Sequence, residues 1–242
     1  VKRQANSWLD VDIPIAAPPA GPIGHWPMDD NTNSSVVTET VGGYDGYLYL
    51  AGGAPGDTED ISVAGVSGNA FNFEGDTHYF EIPDNPAIRI CDNEVNDYTV
   101  TFWMQTYYGQ FDRAREDAQS GAIMGYLEDT DDDPDAYTVF YFDNDDDNPD
   151  FRIAWSDEGD GRRRISTNDG DVWDGNWNHI AGIFSRDDDT VYFYVNGSHV
   201  DDNELERGNL FDYDPIRNWR VGLVEGDNRT IGGRLDDLKF WK

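Results

Sequence analysis

The spacing of carboxylates is the first feature of this chain that could support catalysis. A Glu followed two residues later by an Asp puts both side chains on one face of an extended strand. A second Glu three residues further on would complete the pair, about 5 Å apart, that a retaining glycoside hydrolase needs. The partial motifs are Glu74/Asp76, Glu158/Asp160 and Glu225/Asp227. Because Tyr79, Arg163 and Thr230 stand where the second Glu would be, a glycoside hydrolase is the least favoured hypothesis.

Amphipathic aromatic side chains offer a second kind of chemistry, because their rings can stack on sugars while their polar atoms stay hydrated. Within residues 190–195 apolar side chains alternate with Tyr192 and Tyr194, and within residues 98–107 they alternate with Trp103. Such alternation predicts strands with one face in the core and one open face. Trp103, Tyr192 and Tyr194 are therefore predicted to bind glycan on that open face. A further aromatic residue, His179, is predicted to pack under a loop.

These residues lie on strands that the rest of the chain repeats. Residues 176–200 predict a β-meander, in which Asn196-Gly197 marks a type I′ turn because both residues tolerate positive φ. Residues 75–77 are predicted to join the strands on either side of them into a hairpin. Short strands without helical periodicity predict an all-β sandwich or barrel. The other predicted strands span residues 23–28, 44–50, 67–74, 78–83, 98–107, 122–127, 136–142, 151–156, 162–167, 219–224 and 235–241.

The charge balance of the chain is strongly acidic. Forty-nine Asp and Glu residues against 17 Lys and Arg give a formal net charge of −32. Such self-repulsion is tolerable where salt screens it, and at molar salt the Debye length is about 3 Å. A halophilic, high-salt source follows as a hypothesis. Binding to nucleic acid is disfavoured because it needs basic patches, and no run approaches the roughly 20 apolar residues of a membrane span.

The N-terminal residues 1–22 form a Pro-rich segment whose prolines disfavour both helix and central strand. We expect it to be an extended arm, followed by one domain over residues 23–242. The chain starts at Val1 without the apolar region of a secretory signal, which favours a virion component over a secreted adhesin. Its one cysteine, Cys91, allows no intrachain disulfide, so packing must supply the stability of the fold.

Several blocks, taken in order, point to a known family. They are GHWPMDD at 24–30, GNAFNFEGD at 68–76, YFEIP at 79–83, YTVTFW at 98–103, WNHIAG at 177–182, VYFYVNG at 191–197 and GRLDDLKFW at 233–241. This ordered set resembles the laminin G-like (concanavalin A-like lectin/glucanase) jelly roll. The resemblance implies an all-β sandwich of two curved antiparallel sheets whose first and last strands are adjacent, so that Trp26 and Phe240 lie on neighbouring strands. Long Asp-rich loops and an insert at 109–120 depart from the family pattern.

The resemblance also implies a cofactor, because members of this family often hold a structural calcium ion near the sheet rim. The positions that match its ligands are Asp76 and Asp236, and carboxylate oxygens suit Ca²⁺. The alternative is that both are ordinary acidic residues of a halophilic surface. The Asp runs at 131–133 and 145–147 lack the Gly and the terminal Glu of an EF-hand loop.

The resulting functional hypothesis is a non-catalytic binding or adhesion module that works outside the cell, or on a virion surface, in high salt. Its partner would be a cell-surface glycan or a protein. The first alternative is a structural component of a virus particle or cell envelope, docked on neighbouring subunits through residues 1–22. The second is a glycoside hydrolase of the same fold, although this sequence lacks the paired catalytic carboxylates of such an enzyme.

Overall fold

The computed structural model covers most of the predicted domain. It describes residues 21–50, 52–74, 78–88, 97–106, 120–127, 137–143, 150–157, 160–167, 172, 174–204, 218–224, 229–230 and 232–242. Asp76, Cys91, most of the insert at 109–120 and the two Asp runs lie outside these residues, as does the arm up to residue 20.

The described chain is built almost entirely of strands, with one short helix, α1, at Thr58–Ile61. The strands are β1 (Gly24–Trp26), β2 (Val36–Val37), β3 (Gly46–Leu50), β4 (Ser62–Ala64), β5 (Asn69–Glu74), β6 (His78–Ile82), β7 (Asp97–Thr106), β8 (Ser120–Leu127), β9 (Tyr137–Asp143), β10 (Asp150–Asp157), β11 (Asp160–Ser166), β12 (Trp177–Ser185), β13 (Thr190–Val195), β14 (Ser198–Glu204), β15 (Trp219–Val221), β16 (Leu223–Val224), β17 (Arg229–Thr230) and β18 (Gly232–Trp241).

Two large antiparallel sheets pack face to face, which confirms the all-β sandwich predicted from the sequence. In sheet A the strand order is β14-β13-β12-β7-β18-β5-β4, and β1 pairs with the second half of β18. In sheet B the order is β11-β10-β9-β8-β15-β6-β3-β2. The meander predicted over residues 176–200 is β12, β13 and β14, and its Asn196-Gly197 turn has φ values of 51° and 76°.

The first and last strands are neighbours, as the family resemblance implied. Gly24 pairs with Phe240 and Trp26 with Leu238. The Trp26 and Phe240 rings are fully buried and meet edge to face, with centroids 5.0 Å apart. The indole N–H of Trp26 donates to the Tyr44 carbonyl at 3.1 Å, so its one polar atom is satisfied in the core.

The predicted hairpin across residues 75–77 is wrong. Strand β5 pairs with β4 and β18 in sheet A, whereas β6 pairs with β3 and β15 in sheet B. The chain therefore crosses from one sheet to the other between Glu74 and His78. Strands β5 and β6 instead face each other across the core, where the centroids of the Phe71 and Phe80 rings lie 6.2 Å apart.

The predicted strand at 219–224 is interrupted at Gly222, which has a φ of 98°. A Cβ at this position would lie 2.6 Å from the Phe73 ring and 3.0 Å from the His78 carbonyl oxygen. Glycine is therefore required both for the backbone conformation and for the close approach. Strands β2, β4 and β17 were not predicted, because two or three residues are too few to show alternation.

Candidate functional site

The outward surface of sheet A, called the open face below, carries the three aromatic residues predicted to bind glycan. Burial alternates along β7, β12 and β13, so that every second side chain enters the core and the others are half-buried on the outside. Trp103, Tyr192 and Tyr194 all lie on the outward side. The half-buried residues of the open face include Trp103, Gln105, Trp177, His179, Ala181, Tyr192, Tyr194, Arg234, Lys239 and Trp241.

Strand β12 separates Trp103 from the two tyrosines. His179 lies opposite Trp103 in the register, and Ala181 lies opposite Tyr194. Trp103 and Tyr194 are thus two strand spacings apart across the sheet and two residues apart along it, a separation of about 12 Å. The structure brings Tyr192 and Tyr194 together on one strand but does not bring Trp103 to them. Successive rings of a glycan chain could contact all three, whereas a single ring could not.

The nearest aromatic neighbour of Trp103 on this face is His179, which the sequence analysis placed under a loop. The two ring centroids are 5.1 Å apart with an interplanar angle of 65°. Burial lowers the pKa of His179, the positive charge of Lys239 lowers it further, and the carboxylate of Asp237 opposes both. The imidazole is therefore neutral at pH 7, when it can both donate and accept hydrogen bonds with sugar hydroxyls. Only the strand register, which the sequence does not show, places His179 opposite Trp103.

A row of polar side chains lies beside Trp103. Gln105 pairs with Trp177 on one side and with Arg234 on the other. The Gln105 side chain donates to the Gly175 carbonyl at 2.9 Å and accepts from Arg234 Nη1 at 3.1 Å. These two bonds fix the Gln105 amide and hold one arm of the guanidinium. The Arg234 guanidinium is thereby held against Gln105 at the edge of the aromatic surface.

The far end of the open face, around Tyr192, is acidic. The Tyr192 hydroxyl donates to Asp188 at 3.3 Å, and the His199 ring lies 5.3 Å from Tyr194. His199 in turn contacts the Asp202 carboxylate at 3.1 Å. Carboxylates and an imidazole therefore surround the two tyrosines at this end of the open face.

Asp237 pairs with Lys239 near the centre of the face. Its carboxylate accepts from Lys239 Nζ at 2.6 Å and contacts His25 Nε2 at 2.7 Å. The residue has a φ of 57° within the irregularity that interrupts the pairing of β18 with β7. The irregularity turns Asp237 outward beside a buried neighbour, Asp236.

Asp236 is the one of the two predicted metal ligands that the structure describes. Its side chain is 1% exposed, and Oδ2 accepts hydrogen bonds from the amides of Val66 at 2.7 Å and Ser67 at 3.3 Å. Its Oδ1 is buried without a partner among the described residues. Burial raises the pKa of Asp236 to about 6, although the two amide bonds oppose it. An orphaned carboxylate oxygen fits a hard cation such as Ca²⁺.

The other predicted ligand, Asp76, lies outside the described residues. Phe71 on β5 pairs with Leu235, and Glu74 pairs with Gly232, so β5 leads away from Asp236. The carboxylate that approaches the turn at residues 65–68 is instead Asp29, which accepts from the Asn69 amide at 2.7 Å. In the described part of the chain no group of three or more His, Cys, Asp or Glu side chains could hold a metal ion.

Glu39 is a buried carboxylate that the sequence analysis missed. It accepts hydrogen bonds from five backbone amides, those of His25 on β1 and of all four residues at positions 41–44. Burial acts to raise the pKa of Glu39, but the bonds from His25, Tyr44, Val41 and Gly42 outweigh it and leave the pKa below its ordinary value. Glu39 thus pins the loop at 39–44 onto the first strand.

A hydrogen-bonded chain beside Glu39 has the residue types of a catalytic triad. Thr40 Oγ1 lies 3.0 Å from His25 Nδ1, and the other ring nitrogen contacts Asp237. A nucleophile of this kind needs amide donors for the oxyanion that forms on attack. The amides that follow Thr40 all donate to Glu39. These hydrogen bonds therefore tie the loop at 39–44 to β18 and do not form a catalytic site.

Sheet B carries a second aromatic group on its outer side. The Tyr49 and Tyr79 rings stack with centroids 5.5 Å apart, and the Arg220 guanidinium lies 5.2 Å from the centre of the Tyr79 ring. Arg220 Nε also donates to Glu81 at 2.7 Å. Tyr47, on β3, is 42% exposed. Because these residues lie on the opposite side of the sandwich, they supply matched controls for the open face.

The comparisons with known proteins agree with this architecture. The family model described as the concanavalin A-like lectin/glucanases superfamily matches residues 74–242, more than half of the chain. A comparison with curated protein sequences found no match. No helix in the described ranges is long and apolar enough to cross a membrane.

Two solved structures show the likeness over most of the chain. One is domain 4 of AbnA, a GH43 extracellular arabinanase from Geobacillus stearothermophilus, in complex with arabinotriose, with a TM-score of 0.58, 16% identity and coverage of 93% of this chain and 94% of that one. The other is the binding domain of botulinum neurotoxin serotype D, with a TM-score of 0.59, 11% identity and 91% of this chain covered. This chain spans 47% of the toxin domain's length. At these identities the likeness shows a shared fold.

Proposed function

The chain belongs to the concanavalin A-like lectin/glucanases superfamily, and from that premise we propose that it is a non-catalytic glycan-binding module. It binds a sugar chain along the open face of sheet A, outside the cell and in high salt. Trp103, Tyr192 and Tyr194 supply stacking surfaces, and His179 and Gln105 supply hydrogen bonds to hydroxyl groups. The arabinotriose complex of domain 4 of AbnA supports the proposal, since that domain has the same fold and was solved with a sugar.

The observation that carries the proposal is the alignment of half-buried aromatic rings on adjacent strands around short side chains. Ala181 lies between Tyr194 and Thr101 in the register, and the Trp241 indole N–H donates to the Thr101 hydroxyl at 3.2 Å. Because the side chains of Ala181 and Thr101 are short, the larger aromatic side chains beside them project further from the sheet. Sugar-binding surfaces need such flat amphipathic rings together with a few oriented polar groups.

A glycan array probed at molar salt tests this function. The full chain should bind a defined set of glycans, and Trp103→Ala should lose that binding while keeping its melting temperature within a few degrees. Tyr47→Ala removes an exposed ring from sheet B and is the matched control, so it should bind as the unaltered chain does. An array without any bound glycan, or equal losses in the two variants, would overturn the proposal.

A structural role on a virus particle or cell envelope is the second candidate. It is favoured by the Pro-rich composition of residues 1–22. Ile23, which follows this segment, donates its amide to the Phe240 carbonyl of the last strand at 2.8 Å. In this proposal the apolar residues of the arm dock on neighbouring subunits as an extended peptide. Glycan binding and arm docking are compatible functions of one chain.

We also propose a structural calcium ion as cofactor, with Asp236 as a ligand. The orphaned Oδ1 atom supports it, because a cation beside that oxygen would offset the cost of burying the charge. The register that leads β5 away from Asp236 gives no support to Asp76 as the second ligand, and Asp29 is the described carboxylate nearer to the turn at 65–68. Bound calcium would strengthen the contact between the last strand and the turn at 65–68, which lies outside the open face.

A further inference from the structure

Two similar ring pairs lie on the open face, each made of a large aromatic side chain and a histidine on the neighbouring strand. Trp103 and His179 have ring centroids 5.1 Å apart at an interplanar angle of 65°, and Tyr194 and His199 have centroids 5.3 Å apart at 66°. In both pairs the two residues are opposite each other in the register. We propose that the open face binds an internal stretch of a flat, extended polysaccharide of the β-1,4-linked class, an inference that rests on the proposed glycan-binding function.

The separation of the two pairs suits alternate units of such a chain. Trp103 and Tyr194 lie about 12 Å apart, as two strand spacings and two residues along the sheet require. Each unit of a β-1,4-linked chain advances by about one strand spacing, about 5 Å. Neighbouring units are turned over, so alternate units present the same face and recur at about twice that spacing. One unit can therefore stack on Trp103 while the next but one stacks on Tyr194, and neither contact needs a chain end.

The surface between the two pairs accommodates the unit that joins them. A straight line from Trp103 to Tyr194 crosses β12 between His179 and Ala181, and Ala181 carries only a methyl group. The middle unit can thus pass over β12 without displacing a large side chain. An α-1,4-linked chain curves from unit to unit, so a unit that stacks on one ring directs the next units away from the other. The two-pair arrangement therefore favours a straight chain over a helical one.

The histidine of each pair adds a polar group at the edge of the stacked sugar. Sugars of the gluco configuration have equatorial hydroxyls, which leave both faces of the ring apolar for stacking and point outward in its plane. An imidazole beside the aromatic ring can exchange hydrogen bonds with such hydroxyls. His199 is oriented for this by its 3.1 Å contact with Asp202 and is 43% exposed. Both pairs thus combine a stacking face with a hydrogen-bonding edge, as equivalent units of one polymer require.

A panel of pentasaccharides tests the class of polymer. Cellopentaose and chitopentaose are straight and β-1,4-linked, whereas maltopentaose and laminaripentaose curve, and each is titrated calorimetrically into the full chain in about 2 M NaCl. At least one straight ligand should bind about tenfold or more tightly than either curved one. Equal or tighter binding of a curved ligand, or binding of other array glycans alone, would refute the inference and leave the proposed function standing. No binding on the panel or the array would refute both.

The length of the ligand tests the spacing of the two pairs. A disaccharide of the tighter straight series reaches one pair and a trisaccharide reaches both, so affinity should rise about tenfold between them because a second ring is stacked. Tyr194→Ala should abolish this rise, whereas Tyr194→Phe, which keeps the ring, should retain it. Tyr47→Ala, on sheet B, should retain it as well. Equal affinity for the two lengths in the unaltered chain, or the same rise in a folded Tyr194→Ala variant, would overturn the inference.

Discussion

The Val66 amide donates a 2.7 Å hydrogen bond to the carboxylate of Asp236, which joins the turn at residues 65–68 to the last strand of the sandwich. The same carboxylate has a second oxygen, Oδ1, that is buried without a partner among the described residues. An ionised Asp236 is therefore both a structural tie and a local cost to stability. A cation bound to Oδ1 would compensate the buried charge and leave the hydrogen bond from Val66 in place.

The first prediction concerns the Asp236→Asn substitution. The pKa of Asp236 is raised from 3.8 to about 6, which means that the folded state favours the protonated side chain. In the presence of a chelator, the free energy of unfolding should therefore fall as the pH rises from about 4 through 6. Asp236→Asn should remove that fall and be no less stable than the unaltered chain at pH 7.5. Calcium should raise the melting temperature of the unaltered chain only.

Asp60→Asn, on the exposed side of α1, is the control for loss of one negative charge and should keep the response to calcium. Melting curves at pH 7.5 with calcium or chelator make the comparison. An equal response to calcium in the Asp236→Asn variant would show that the ion binds elsewhere.

The second prediction concerns Glu39→Gln. Five amides donate to the Glu39 carboxylate, and an amide side chain cannot accept all of these bonds. The free energy of unfolding should fall by about 2–3 kcal/mol. Because the folded pKa is below its unfolded value, this stabilisation is present at neutral pH and is lost as pH falls through the folded pKa.

Denaturant unfolding at pH 7 and at about pH 3 measures both effects. The lower pH lies below the ordinary pKa of Glu. Glu59→Gln, an exposed site on α1, should change stability by less than about 0.5 kcal/mol. A Glu39→Gln variant as stable as the control at pH 7 would contradict the role assigned to this carboxylate.

The third prediction concerns salt. With a net charge of −32, transfer from about 2 M to about 0.1 M salt lengthens the Debye length to about 10 Å and restores the repulsion between carboxylates. The melting temperature and the near-UV circular dichroism should both decrease on this transfer. A melting temperature that does not change over this range would refute the high-salt hypothesis.

The fourth prediction concerns the arm. Deletion of residues 1–20 should leave the sandwich folded with an unchanged melting temperature, because β1 and its pairing with β18 begin at Gly24. The truncated chain should lose its attachment to the parent particle or oligomer, as measured by sedimentation of particle fractions. Normal assembly of the truncated chain would remove the structural-component candidate.

The sequence predicted those parts of the fold that depend on local alternation. Phe102 and Trp103 point to opposite sides of β7, and Val191 and Tyr192 to opposite sides of β13, as their alternation required. The adjacency of Trp26 and Phe240 came from the family resemblance, since no local pattern pairs residues so far apart in sequence.

The errors arose where a local pattern is ambiguous about long-range pairing. Alternating residues on both sides of a short turn fit a hairpin, but they fit equally well two strands that face each other across the core, as β5 and β6 do. Glu39 could not be identified because its partners are backbone amides, which have no sequence signal. His179 lay on a predicted strand, but only the register with β7 places it beside Trp103.

The most direct test of the central claim is a calorimetric titration of the best array glycan into the full chain and into Trp103→Ala, at molar salt. We expect the substitution to weaken binding by about tenfold or more, because a ring that stacks on the sugar is removed. Tyr47→Ala should bind with the affinity of the unaltered chain. Unchanged affinity in a folded Trp103→Ala variant would contradict the claim that the open face of sheet A binds the glycan.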